Sequence, residues 1–129
     1  RAIAGELAVN DVRVRGAVTG LSTDPAYLDI GFSDASRVDV DIPAGYTALV
    51  YVYTGSVVIG DSEYQLTEGR IARLSREGLL HLNAVSGTKL LLITGKPIGE
   101  PIAQRGPFVM NTMDEIHQAI RDYSEGTLV

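Results

Sequence analysis

His81 and His117 are the only imidazoles in this 129-residue chain, which has no cysteine. An ion that activates oxygen needs several imidazoles and carboxylates converging on it, with positions left open for substrate. A lone histidine makes a weak site, so His81 is a weak metal candidate and the expected metal set is none. Asp39 and Asp41 could hold a cation between them, but carboxylates on the wet face of a strand need no ligand to explain them. His117 lies off the apolar stripe of a C-terminal helix, which makes it a solvated side chain or a contact with another surface. Without cysteine there is no thiolate, disulfide or Cys-based zinc site. No Gly-x-Ser-x-Gly elbow anchors a hydrolase, and fourteen glycines include no phosphate-binding loop. No residue is assigned a catalytic role.

Two groups remain as binding candidates. Arg70, Arg73 and Arg76 cluster in sequence and could meet an acidic partner, although strand alternation sends Arg73 to the face opposite Arg70 and Arg76. Tyr46, Tyr51 and Tyr53 could line a barrel mouth for an aromatic ligand, but at least two of them are expected in the core. Sixteen acidic against eleven basic residues leave a net charge of −5, which opposes approach to a polyanion, so no direct nucleic-acid contact is expected. No apolar run approaches the roughly 18–20 residues a bilayer requires, and Arg1-Ala-Ile-Ala-Gly-Glu6 lacks a signal-peptide layout, so a soluble, cytoplasmic protein is expected. The first residue is not Met and Ala2–Gly5 already reads as a strand, so the chain is expected to be cut from something longer.

The elements carrying these residues are short β-runs from Val12 to Thr94, divided by Gly, Pro, Asp and Ser. Leu28, Ile30 and Phe32 share one face of a strand, and Val38, Val40 and Ile42 share one face of the next. Ala48–Tyr53 turns at Thr54-Gly55 into Ser56–Ile59, predicting a central hairpin in an almost continuous meander through Tyr64–Leu66, Arg70–Leu74, Leu79–Asn83 and Lys89–Thr94. Pro97, Pro101 and Pro107 should keep Gly95–Phe108 extended and unpaired. Thr112-Met-Asp-Glu115 has the form of a capping box and Gly126 that of a left-handed stop. Between them Ile116, Ala119, Ile120 and Tyr123 make one apolar stripe that needs burying. These patterns divide the chain into a β-barrel over 1–95 and an extended segment with its helix over 96–129. The two form a single domain overall, the helix packing on the barrel or on a companion domain.

Two stretches carry a family resemblance. Ile42-Pro-Ala-Gly45 running through Thr54-Gly55 to Gly60 resembles the first sequence block of a cupin barrel. Gly95-Lys-Pro-Ile-Gly-Glu-Pro-Ile-Ala-Gln-Arg-Gly-Pro-Phe-Val-Met-Asn-Thr112, with the helix ending at Asp122-Tyr123, is similar to the C-terminal signature of pirins. The resemblance implies an all-β cupin fold, a double-stranded β-helix or jelly-roll barrel with one C-terminal α-helix. Pirins are bicupins whose N-terminal barrel holds iron or another divalent metal through three histidines and a glutamate. Nothing in this sequence corresponds to that half. Set against a metal-bearing barrel, Asp41 and Pro43 occupy the first two histidine positions, His81 matches the third, and Asn83 replaces the glutamate.

The expected role is therefore that of a metal-free C-terminal cupin domain supporting a metal-bearing N-terminal one. The parent would be a quercetin 2,3-dioxygenase or a redox-linked regulator. The expected partner is that N-terminal domain, or a second copy through the C-terminal helix. The rival reading is a stand-alone dioxygenase using His81, and a third is a docking module for a regulatory protein.

Overall fold

The computed structural model describes residues 1–61, 64–74 and 78–128. Its first strands are β1 (Ala2–Ala4), β2 (Glu6–Val9), β3 (Val12–Arg15), β4 (Ala26–Gly31), β5 (Ser36–Ile42), β6 (Thr47–Thr54) and β7 (Ser56–Ile59). There follow β8 (Tyr64–Thr67), β9 (Ile71–Arg73), β10 (Gly78–Ala84), β11 (Lys89–Gly95), β12 (Ala103–Arg105), β13 (Phe108–Met110) and the helix α1 (Met113–Glu125). The chain divides into two compact units, Arg1–Pro97 and Ile98–Val129. No helix is long and apolar enough to cross a membrane among the described residues.

In the first unit, period-two alternation gives each long strand one apolar face. Leu28 of β4, Val40 of β5, Val50 and Val52 of β6, Val57 of β7, Leu82 of β10 and Leu90 and Leu92 of β11 are fully buried in one cluster. These strands form two sheets, ordered β1-β4-β11-β6-β9 and β3-β2-β5-β10-β7-β8. Both sheets turn alternate residues onto the shared core, which is the jelly-roll solution for strands with one dry face. No hydrogen-bonded ladder joins the two sheets into a closed cylinder among the described residues. β10 pairs with β5 along its length, Gly78 opposite Ile42 and Ala84 opposite Ser36. β11 lies between β4 and β6.

The expected central hairpin does not form. β6 belongs to the five-stranded sheet and β7 to the six-stranded one, so Thr54-Gly55 is a corner where the chain changes layers. Gly55 takes φ 80°, and a Cβ there would lie 2.8 Å from the Thr88 hydroxyl. Thr88, fully buried, clips the corner by donating to the Ser56 carbonyl at 2.9 Å and accepting from its amide at 3.3 Å. The expected meander survives where β7 pairs with β8 and fails ahead of it, because from β4 to β7 each strand changes sheets and apolar alternation is blind to which neighbour a strand pairs with. A hairpin does form where no motif was read. β2 and β3 pair through Asn10-Asp11, at φ 47° and 63°, the left-handed pair that a tight two-residue turn demands.

In the second unit, β12 and β13 pair, Ala103 opposite Met110 and Arg105 opposite Phe108, which corrects the unpaired reading of that segment. Pro107 sits in the turn with Gly106 at φ 59°, where its missing amide hydrogen removes nothing from the ladder. α1 lies against this hairpin, and its capping box is complete. The Glu115 amide donates to the Thr112 hydroxyl at 3.3 Å, and the Glu115 carboxylate accepts from the Thr112 and Asn111 amides at 2.8 and 3.0 Å. Gly126 ends the helix at φ 72°. Of the apolar stripe only Ile116 and Ala119 are buried, whereas Ile120 is 36% and Tyr123 71% exposed. Part of the stripe is thus open in the single chain, and the Tyr123 ring meets Phe108 edge-on at 6.1 Å.

Candidate functional site

The polar side chains with chemical potential gather on the outer face of the six-stranded sheet. Leu80 and Leu82 are core residues, so His81 between them points away from the interior. The register sets His81 opposite Asp39. There the imidazole Nδ1 lies 2.9 Å from the Asp39 carboxylate. The Arg37 guanidinium donates to both Asp39 oxygens, at 2.6 and 3.2 Å, and reaches His81 Nδ1 at 2.5 Å. One nitrogen cannot give its proton to Asp39 and accept one from Arg37 at once, so the trio has two alternative hydrogen-bond patterns. The Arg37 hydrogen bond, then that from His81, holds the Asp39 carboxyl below the usual carboxylate range. The same bond to Asp39 raises the Arg37 guanidinium above its ordinary value.

Beside this trio is a hollow of about 300 Å³ lined by Ala8, Asn10, Asp11, Asp39, Asp41 and Leu79. The β2–β3 turn delivers Asn10 to it, and Asn10 Oδ1 accepts from the Asp39 amide at 2.8 Å. Asp39 is thus already satisfied by a cation, an imidazole and the chain itself. The arrangement holds the Arg37, Asp39 and His81 side chains together as a hydrogen-bonded surface patch. Among the described residues no group of three or more His, Asp or Glu side chains is placed to hold a metal ion.

The resemblance set His81, Asp41, Pro43 and Asn83 at metal-ligand positions. The structure corrects that location: His81, Asp41 and Asn83 alternate with core residues and face outward, and Pro43 is exposed beyond the end of β5. The space between the sheets is lined by Leu, Val, Ile and Ala with Phe32 and Tyr46, and its buried polar residues are Thr88 and Thr94 among the described residues. Thr94 Oγ1 has no hydrogen-bond partner, yet a single hydroxyl among aliphatic side chains offers no ligand set for a divalent cation. The residues present do not fit an interior metal.

The other candidates are scattered. Tyr46 joins the core at 9% exposure, its hydroxyl donating to Asp24 at 2.6 Å, and that bond pushes the phenol upward in pKa. Lys96 stands over its ring at 5.7 Å. Tyr51 and Tyr53 lie on the outer face of the five-stranded sheet, because Val50 and Val52 between them point inward. Only one of the three tyrosines is in the core, against the two or more expected. The Tyr53 hydroxyl donates to Asp29 at 2.8 Å, which raises its pKa. Arg73 is exposed opposite Leu49 on that outer face, while exposed Arg70 has the parity of inward-packed Ala72 and Leu74. Arg76 lies outside the described residues. His117 is exposed on α1. Sequence reasoning passed over Arg37, Asn10 and Thr88, although strand parity alone would have put Arg37 beside Asp39 on one face.

The sequence matches the family model for the pirin C-terminal cupin domain over residues 27–129. It is 42% identical over 127 residues to a Pseudomonas aeruginosa protein named "Putative quercetin 2,3-dioxygenase", covering 98% of this chain and 45% of that protein. It is 35% identical over 105 residues to rat pirin, covering 78% of this chain and 36% of the relative. A solved structure of quercetin 2,3-dioxygenase from Acinetobacter baumannii superposes with a TM-score of 0.82 at 41% identity, covering 99% of this chain and 43% of that one. The chain spans less than half the length of these relatives.

Proposed function

Since this chain belongs to the pirin C-terminal cupin family, we propose that its work in a longer protein is structural. It is a metal-free cupin domain that supports a metal-bearing companion barrel and performs no chemistry itself. The observation carrying this reading is the aliphatic space between the sheets, with His81, Asp39 and Asp41 turned outward. An oxygen-activating centre needs converging nitrogen and oxygen donors in a sheltered cavity, and among the described residues this interior offers two threonine hydroxyls and no imidazole or carboxylate. Quercetin 2,3-dioxygenation, the activity in the names of two relatives, would then belong to the whole protein through its other barrel.

Elemental analysis tests the assignment. The purified 129-residue chain should hold only trace iron, copper, manganese or nickel, while the native gene product should hold a stoichiometric metal. His81→Ala in that product should leave metal content and flavonol turnover unchanged. Stoichiometric metal in the 129-residue chain, lost on His81→Ala, would reverse the conclusion.

A further inference from the structure

We propose that Arg37, Asp39 and His81 form a proton-operated charge switch on the outer face of the six-stranded sheet: on taking a proton, the imidazole donates to Asp39 and drives the Arg37 guanidinium off the sheet. The trio spans two strands, with Arg37 and Asp39 on β5 and His81 opposite Asp39 on β10. The switch lies in one atom, His81 Nδ1, which stands 2.5 Å from Arg37 Nη2 and 2.9 Å from Asp39 Oδ1. A neutral imidazole has one bare nitrogen that can accept, and a guanidinium can only donate. With Nδ1 bare, Arg37 donates to it and to both Asp39 oxygens, so the guanidinium is clamped from two sides. With Nδ1 protonated that acceptor is gone, the ring donates to Asp39, and two cations stand in contact. Arg37 Nη2 must then move off the ring.

The neighbours decide where it goes. On the flank away from β5, the Gly60 amide donates to the His81 carbonyl at 2.9 Å, and a glycine puts no side chain beside the ring. Asp61, the next residue, is near enough for its charge to favour the cationic form of Arg37, so a carboxylate stands ready to receive the displaced guanidinium. The other charged groups on the elements beside the ring, among the described residues, are Asp41 on β5 and Asp11 in the β2–β3 turn, both lining the hollow next to Asp39. Farther along the sheet, Arg13 and Glu6 satisfy each other at 2.6 Å. Arg37 is thus the cation that a protonated ring meets.

Imidazole is the side chain that ordinarily changes charge between about pH 5 and 8, and the His81 side chain, 18% exposed, is open to solvent protons. In the clamped arrangement Arg37 cancels Asp39. In the switched one the imidazolium cancels it, and the guanidinium is left over. A sheet face that satisfies itself in mild alkali therefore presents a spare cation in mild acid, the form that an acidic group on another surface can meet.

Nuclear magnetic resonance of the chain carrying isotope-labelled histidine and arginine tests the switch. The chain has two histidines, and His117, exposed on α1, is the internal control. At about pH 8 the His81 ring should hold its proton on Nε2 and leave Nδ1 bare, and at about pH 5 an Nδ1 proton bonded to Asp39 should appear. The Arg37 side-chain signals should follow the same curve as the His81 ring, the ratio of the two arrangements changing about tenfold per pH unit, and should ignore His117. In His81→Gln the Arg37 signals should stay flat over this range. In Arg37→Gln the Nδ1 proton should stay on Asp39 throughout, because nothing competes for that nitrogen. A neutral ring already protonated on Nδ1 in the parent chain, Arg37 signals indifferent to His81, or movement that survives His81→Gln would each overturn the proposal. The parent chain alone decides the first two points, so a variant that fails to fold leaves the test standing.

Discussion

Asp39 holds Arg37 and His81 against the outer face of their sheet, and its ionisation governs that patch. Its carboxyl titrates below the usual carboxylate range because Arg37, and after it His81, donates to the charged form. A group depressed in the folded state contributes stability that is complete above its unfolded pKa and is lost as pH falls through its folded pKa. Asp39→Asn should therefore lower the urea midpoint at neutral pH, and the gap from the parent chain should close as pH falls below the ordinary carboxylate range. A gap that widens in acid would contradict this origin. Tyr46→Phe, which leaves Asp24 without its donor, should cost about 1 kcal/mol, measured by the same unfolding. At this scale the sequence was half legible. Asp39 and Asp41 were placed on a wet face by alternation, and the same parity applied to Leu80-His81-Leu82 puts the imidazole outside, where comparison with a metal-bearing barrel put it at the pocket.

Elements were legible where their signals are local. The capping box at Thr112 and Glu115 and the stop at Gly126 stand as expected because every partner lies within a few residues. Thr112→Ala should cost about 1 kcal/mol and speed hydrogen exchange at the first amides of α1; unchanged exchange there would show that the hairpin alone holds the helix start. Strand faces were legible for the same reason. Strand partners were legible for β7 and β8 but not for the long strands, since β5 meets β10 and β4 meets β11 across most of the unit. The β6–β7 corner shows the difference: a glycine turn between two apolar runs signals a hairpin, and only Thr88, distant in sequence, makes it a change of layer. Gly55→Ala forces a left-handed conformation on a residue with a Cβ, which costs about 1–2 kcal/mol, and drives that atom onto the Thr88 hydroxyl. Its midpoint should fall further than that of Gly69→Ala, whose Cβ meets nothing within 4 Å.

At the scale of the molecule, one core serves both sheets, so damage to it should unfold them together. Leu92, fully buried on β11, is a suitable probe: Leu92→Ala should cost about 2–5 kcal/mol, with fluorescence and circular dichroism reporting a single transition. Separate transitions for the two sheets would show that the core is divisible. The position of β11 has a further consequence for synthesis. The last long strand to be translated is the middle of its sheet, the shared neighbour of β4 and β6. Everything ahead of Lys89 must therefore leave the ribosome with its greasy sides open and wait, at the mercy of chaperones, for seven residues that come late. A message truncated before that strand would yield an aggregating stub, and no smaller version of the domain.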